Sequence, residues 1–160
     1  MSSILPSCSV GRMNKGSETQ TPSVGLSIRQ PWVELILSGR KSIEVRSWPT
    51  QHRGVLWLHA GKRVETVLCS QFGLDAYSLP VGAFVGRCQL IDCFEFDARS
   101  WKALHGQHLN SGELPARAFG WRLSKPERIC AYPYRGALSL MKISDLVVSC
   151  LGGSDREEQV

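Results

Sequence analysis

The segment GRKSIEVRSW, residues 39–48, holds the side chains best suited to binding chemistry. Lys41 is either a solvated lysine of the turn or a compact positive charge for a phosphate or carbonyl oxygen. The guanidinium of Arg46 can hold a phosphate or a guanine edge, and the carboxylate of Glu44 can accept from the exocyclic amine of cytosine or adenine. Glu44 and Arg46 are predicted to share one face of a strand. They therefore form either a surface ion pair, worth under about 1 kcal/mol, or one wall of a ligand cleft.

Two tryptophans accompany this segment, since Trp32 precedes it and Trp48 ends it. Each is either part of the core, because an exposed indole is costly, or a platform on which a base stacks for about 1–3 kcal/mol. Arg29 and Gln30 come just before Trp32 and can reach the same cleft.

Further candidates lie in the motif HAGK, residues 59–62. His59 is either a proton shuttle or a strand histidine held by hydrogen bonds. Gly61 and Lys62 are predicted to begin a helix, whose free backbone amides would form an anion site.

No established cofactor or metal motif accompanies these residues. The sequence has no Ser/His/Asp pattern, P-loop or dinucleotide fingerprint. No two of its six cysteines have the common zinc spacing. We therefore expect no metal and no cofactor.

The first predicted elements place the candidate residues around one cleft. Residues 26–29 are predicted to form a strand, and Pro31 has the backbone angle favoured at the first position of a helix. Gly39 is placed to end that helix in a left-handed conformation. The chain then returns as the strand that carries Glu44 and Arg46.

Alternating apolar residues predict strands in three more stretches: residues 52–62, 82–96 and 119–143. Residues 61–74 are predicted to be a helix with Val64, Val67 and Leu68 on its buried side. In total we expect about six strands and two or three short helices. Short strands with tight turns indicate an α+β domain built on a small curled or closed sheet.

One domain is expected to occupy most of the chain, because 160 residues, 42% of them hydrophobic, suffice for one core. Residues 25–145 are predicted to be this domain, between a disordered tail of residues 1–24 and a C-terminal tail of residues 146–160. No apolar run is long enough to span a bilayer, and the start lacks the pattern of a secretory signal. We expect an intracellular location, in the cytoplasm or the nucleus, and no membrane partner.

The positive charge of the chain lies in the predicted domain. The net charge is +5, and residues 25–145 hold 16 Lys or Arg against 10 Asp or Glu. An excess of this size is common in proteins, but it also suits an anionic partner such as nucleic acid or a phosphorylated small molecule.

Three motifs follow one another in order: SIRQPW, SGRKSIEVRSW and HRGVLWLHAGK. In these motifs, and through VGAFVGRCQLIDC, FGWRL and YRGALSLMKI, the sequence resembles the ASCH (activating-signal-cointegrator homology) domain. Within the family it is most similar to the domain of transcription coactivators, without the zinc-binding region that precedes it there. The resemblance implies a PUA-like fold, a small mixed β-barrel with short helices at its rim. It also implies a cleft between the first helix and the barrel, and binding of RNA or other nucleic acid.

The resemblance also suggests an enzymatic alternative. Some small bacterial members resemble amidohydrolases that act on N4-acetylcytidine, in which the lysine of GRK is catalytic and a threonine nucleophile lies three residues after it. Lys41 matches that lysine. Glu44 occupies the threonine position and cannot act as an alcohol nucleophile, and no position can be assigned to the family's general-base glutamate.

The first interpretation is therefore a non-catalytic module that binds RNA, or a single-stranded or modified nucleotide, in a basic cleft. Its expected site residues are Arg29, Gln30, Trp32, Lys41, Glu44, Arg46, Trp48, His59, Gly61 and Lys62. The alternative is an enzyme acting on a modified nucleoside or on RNA, with Lys41 and Glu44 as its catalytic residues. A third interpretation is a protein-interaction module of a transcription or RNA-processing complex.

Overall fold

The alternating apolar residues fold into one mixed sheet in the structure, a computed structural model that describes residues 22–152. Its strands are β1 (Ser23–Gln30), β2 (Ile43–Arg46), β3 (Gly54–Val64), β4 (Ala83–Glu95), β5 (Phe119–Pro133) and β6 (Met141–Ile143). Its helices are α1 (Trp32–Leu37), α2 (Thr66–Gln71), α3 (Ala98–Ala103), α4 (His105–His108) and α5 (Asp145–Gly152). The predicted α+β class is confirmed.

The sheet is open, with the strand order β2-β5-β4-β3-β1-β6. The pair β1–β3 is parallel, and the other neighbouring strands are antiparallel. The sheet is not closed into the barrel that the family resemblance implies: the short strands β2 and β6 lie at its opposite edges, and each pairs with only one neighbour.

The core lies between the sheet and α1. Leu26, Leu58 and Trp121 from three different strands are fully buried. Helix α1 adds Leu35 and Ile36, as its apolar pattern predicts. This packing fixes α1 against the sheet and so fixes the start of the segment that carries the candidate site.

The predicted helix over residues 61–74 is wrong in its first part. Gly61 and Lys62 belong to β3, which continues to Val64 because that residue pairs with Gln30 of β1. Helix α2 begins only at Thr66. The expected anion site at a helix start beginning with Gly61 and Lys62 is therefore absent. The predicted buried stripe is also incorrect, since Val67 is 70% exposed and Cys69 is the buried residue of α2.

The ordered elements extend slightly beyond the predicted domain. Strand β1 begins at Ser23, within the predicted tail, because Ser23 and Val24 pair with β6. Helix α5 begins at the last residue of the predicted domain, continues through residues 146–152 of the predicted C-terminal tail and buries Leu151. The rest of the two predicted tails, residues 1–21 and 153–160, lies outside the described residues.

Candidate functional site

The turn between α1 and β2 brings Lys41 beneath the helix. Gly39 has a φ of 79°, the left-handed conformation that its position predicts. The chain then doubles back, so that the backbone N–H of Lys41 donates to the carbonyl of Leu35 at 2.9 Å. Three residues later, Glu44 lies on β2 opposite Trp121 of β5.

The Lys41 ammonium is buried, with the residue only 2% exposed, and it has three polar partners. It donates to the backbone carbonyl of His108 and to Oδ1 of Asn110 at 3.2 Å, and it lies 3.6 Å from Oε2 of Glu44. The first two contacts are hydrogen bonds, and the third is an ion pair that is longer than a hydrogen bond. Burial lowers the pKa of Lys41, whereas the charge of Glu44 acts to raise it.

The Glu44 carboxylate lies between two cations. Its second oxygen, Oε1, is 3.5 Å from Nη1 of Arg46, and its side chain is 7% exposed. The guanidinium of Arg46 also lies 5.7 Å from the ring centre of Trp48. The two oxygens of Glu44 are therefore paired with different cations, Oε2 with Lys41 and Oε1 with Arg46, and these contacts orient the carboxylate.

These groups border a cavity of about 180 Å³, here called the near cavity. Its polar and aromatic walls are Arg29, Trp32, Glu44, Arg46, Glu65 and Asn110. Arg29 and Glu65 are 3.4 Å apart and partly exposed. The ring of Trp32 lies 4.7 Å from the Lys41 ammonium. The near cavity therefore combines hydrogen-bond acceptors, cations and an indole.

Two further cavities lie along β1 and β3 and are linked to the near cavity by shared wall residues; the three together are here called the groove. The middle cavity, about 290 Å³, shares Ile28, Arg29 and Arg46 with the near cavity. The far cavity, about 900 Å³, shares Ser27, Gly61, Lys62, Ala137 and Leu138 with the middle one. Gly61 and Lys62 thus lie in the groove, although they do not begin a helix.

His59 lines the far cavity and not the near one. Its Nε2 is 2.7 Å from the carbonyl of Tyr134, so the network assigns the proton to that nitrogen. Its Nδ1 then accepts from the hydroxyl of Ser27 at 3.0 Å. Burial lowers the pKa of His59. The imidazole joins β1, β3 and the segment after β5, and it does not contact Lys41 or Glu44.

Two predicted site residues have other roles. Gln30 is fully buried, where it donates to the carbonyl of Pro80 at 3.0 Å and accepts from the backbone N–H of Glu34 at 3.1 Å. Its side chain thus caps a backbone N–H group in the first turn of α1 and does not line the near cavity. Trp48 packs edge-on against Trp121, with ring centres 4.7 Å apart, and does not line the near cavity. Trp48 is partly buried and packs against the core cluster.

The predicted residues Arg29, Trp32, Glu44 and Arg46 do converge on the near cavity. Lys41 does not line it; this residue reaches it only through its ion pair with Glu44 and lines a separate cavity of about 200 Å³. Their role in binding stays a prediction. The sequence interpretation did not include Asn110, Glu65, Arg63, Tyr134 or Arg135, which also line the groove. Asn110 contacts Lys41 across 69 positions of sequence, so no local pattern indicates it.

Within residues 22–152, no group of three or more His, Cys, Asp or Glu is arranged to hold a metal ion. No helix in the same part of the chain is long and apolar enough to cross a membrane.

Comparison with known proteins gives three concordant matches. The family model for the ASCH domain matches residues 26–135. The chain is 30% identical over 135 residues to activating signal cointegrator 1 of Mus musculus and 29% identical to that of Homo sapiens. Each alignment covers 76% of this chain and 22% of the relative, so the chain spans less than a quarter of these relatives' length.

The fold is similar to that of solved structures. The crystal structure of ASCH from Zymomonas mobilis superposes with a TM-score of 0.61 at 16% identity, covering 80% of this chain and 92% of that one. A variant of the same protein gives a TM-score of 0.62 and covers 82% and 96%. At this identity the likeness concerns the fold alone.

Proposed function

Because the chain belongs to the ASCH domain family, we propose that it binds single-stranded nucleic acid, with RNA as the favoured ligand, in the near cavity. Single strands suit the site because their unstacked bases can enter a cavity and be contacted at their edges. The basic domain supplies the general attraction for a polyanion.

The observation that carries this proposal is the position of Glu44 in the near cavity. Its carboxylate is oriented by Lys41 and Arg46. The Glu44 side chain therefore loses little conformational entropy when a ligand binds. A carboxylate accepts from the amino group of cytosine or adenine. The side-chain amide of Asn110, also in the wall, can add a second contact.

The cations at the mouth of the near cavity suit the sugar–phosphate backbone. The side chain of Arg29 is 57% exposed, and that of Arg46 is 20% exposed. Arginine binds phosphate through two parallel donors, which holds the strand in one register. The deeper groups would then contact a base while the arginines contact the phosphates beside it.

The contacts of Lys41 and Glu44 favour binding of a nucleotide over hydrolysis of a modified nucleoside. A catalytic lysine needs a free donor or a free amine near the reacting carbonyl. The Lys41 ammonium is buried, donates hydrogen bonds to His108 and Asn110, and is ion-paired with Glu44. The enzymatic alternative would require this network to open, and Glu44 cannot replace the alcohol nucleophile of the resembling amidohydrolases.

We also propose an intracellular setting, nuclear or cytoplasmic, because that is where the proposed ligand occurs. The names of the curated relatives describe a signal cointegrator. Association of this chain with proteins of a transcription or RNA-processing complex is a proposal that rests on that similarity.

The proposal is tested by titrating the protein with fluorescently labelled single-stranded RNA and with single-stranded DNA of the same sequence, each at 50 and 200 mM salt. We expect binding that weakens with salt, as counterion release requires, and that is weakened further by Glu44→Gln. Lys102→Ala, which removes an exposed charge on α3, serves as the matched control. Absence of binding to either strand at low salt would contradict the proposal.

A further inference from the structure

The middle and far cavities carry cations that are not engaged by other side chains. Lys62 and Arg63 of β3 and Arg135 after β5 are exposed and line these cavities. No ion pair or side-chain hydrogen bond within residues 22–152 involves any of the three. Their charges therefore stay available to an anion in the groove.

The charge of the groove differs between its two ends. The walls of the near cavity include two carboxylates, Glu44 and Glu65. The walls of the middle and far cavities include no Asp or Glu. A site that holds both carboxylates and cations suits the edge of a base. A site whose only charged side chains are cations suits a phosphate group. The charges of the near cavity thus suit a base, and those of the middle and far cavities suit the sugar–phosphate backbone of a strand.

The far cavity also has an apolar wall. Tyr134 lines it, and its ring is held against Phe84 with ring centres 5.1 Å apart. Leu138, in the same wall, is 96% exposed. An exposed leucine beside a tyrosine and two cations offers contact to the flat face of a base whose phosphate is held alongside.

The segment that forms this wall is anchored to the sheet. The backbone N–H of Ala137 donates to the hydroxyl of Ser27 at 3.2 Å, and His59 binds both that hydroxyl and the carbonyl of Tyr134. Gly136 passes so close that an added Cβ would lie 2.6 Å from the Ser27 hydroxyl oxygen. Residues 134–138 are therefore a fixed wall of the far cavity and a suitable surface for a ligand.

We propose that the far cavity is a second nucleotide subsite, so that the ligand is a strand of several nucleotides and not an isolated nucleoside. This inference rests on the proposed function of the near cavity. The strand leaves the near cavity past Arg29, its phosphates follow Arg63 and Lys62, and a further base lies against Tyr134 and Leu138 beside Arg135.

The test compares labelled single-stranded RNAs of two and six nucleotides, with the double variant Lys62→Ala/Arg135→Ala. The double variant is expected to bind the hexamer about tenfold more weakly and to lower the slope of log K against log salt by about 1.4, because each lost phosphate contact accounts for about 0.7. Its affinity for the dinucleotide is expected to equal that of the wild type. The control Lys102→Ala/Lys142→Ala removes two exposed charges outside the groove and is expected to change neither affinity.

Each other outcome has a separate meaning. Equal hexamer binding by the wild type and the double variant would overturn the second subsite while leaving the near cavity intact. An equal loss of affinity for both RNAs in the double variant would also overturn the second subsite. Lys62 and Arg135 would then act only through a general attraction for polyanions. If the wild type bound neither RNA, the proposed function would fail and this inference with it.

Discussion

The Lys41 ammonium and the Glu44 carboxylate lie 3.6 Å apart, and both side chains are almost completely buried. Buried charges are tolerated only when they are paired and hydrogen-bonded. Lys41 meets this condition through His108 and Asn110, and Glu44 meets it through Arg46. The pair therefore supports the fold as well as the candidate site, and effects on stability and binding must be measured separately.

Replacing Lys41 with methionine tests the structural part of this role. The change leaves the carbonyl of His108 without its donor and leaves Glu44 with Arg46 alone. We expect the free energy of unfolding to fall by about 3 kcal/mol, as for other broken buried pairs. Urea denaturation of the wild type, Lys41→Met and the exposed control Lys102→Met measures it. A Lys41→Met protein within about 0.5 kcal/mol of the control, the range of neutral surface changes, would show that the pair does not support the fold.

The absence of amidohydrolase activity is a second prediction. Since the buried Lys41 ammonium is hydrogen-bonded to His108 and Asn110, and Glu44 has no alcohol group to act as the nucleophile, the protein is expected to release no acetate from N4-acetylcytidine. Glu44→Thr alone is expected not to create an efficient enzyme. Chromatography of the nucleoside after prolonged incubation measures the cytidine formed. Cytidine formed by the wild type and lost in both Lys41→Ala and Glu44→Gln would establish the enzyme instead.

Two buried histidines predict a dependence of stability on pH. Burial lowers the pKa of both His59 and His108 in the folded protein. The unfolded chain then binds more protons near its own histidine pKa of about 6.5, so stability falls as pH decreases below that value. The fall can reach about 1.4 kcal/mol per pH unit for each histidine.

Melting temperatures measured from pH 7.5 to pH 5.0 test this dependence. His59→Gln and His108→Gln each remove one of the two buried imidazoles, and each variant is expected to lose less stability on acidification than the wild type. A melting temperature that stays constant down to pH 5.0 in the wild type would show that neither buried histidine titrates with unfolding.

Local patterns predict most of the near cavity. Gly39 has the expected left-handed backbone, and the alternation of β2 places Glu44 and Arg46 at one cavity. The same patterns misassign Gly61 and Lys62, because the parallel partner β1 extends β3 beyond the residues that its own sequence favours.

Contacts between distant parts of the chain account for the other differences between the sequence-based prediction and the structure. The hydrogen bonds of Gln30 to Pro80 and of Lys41 to Asn110 join segments separated by 50 and 69 positions. The open sheet also follows from a non-local feature, namely that β2 and β6 reach opposite edges. Such pairings depend on the assembled fold and leave no periodic signal in the sequence.

The central claim, that single-stranded RNA enters the near cavity, is tested most directly by the indole N–H signals of the ¹⁵N-labelled protein. The five tryptophans give five signals, and the signal of Trp32 is assigned by its loss in Trp32→Phe. On addition of a six-nucleotide RNA we expect the Trp32 signal to shift, because this indole lines the near cavity. The signals of Trp101 and Trp121 should stay in place, because their indoles donate to the carbonyls of Gly112 and Trp48 away from it. An unchanged Trp32 signal at saturating RNA would contradict the claim.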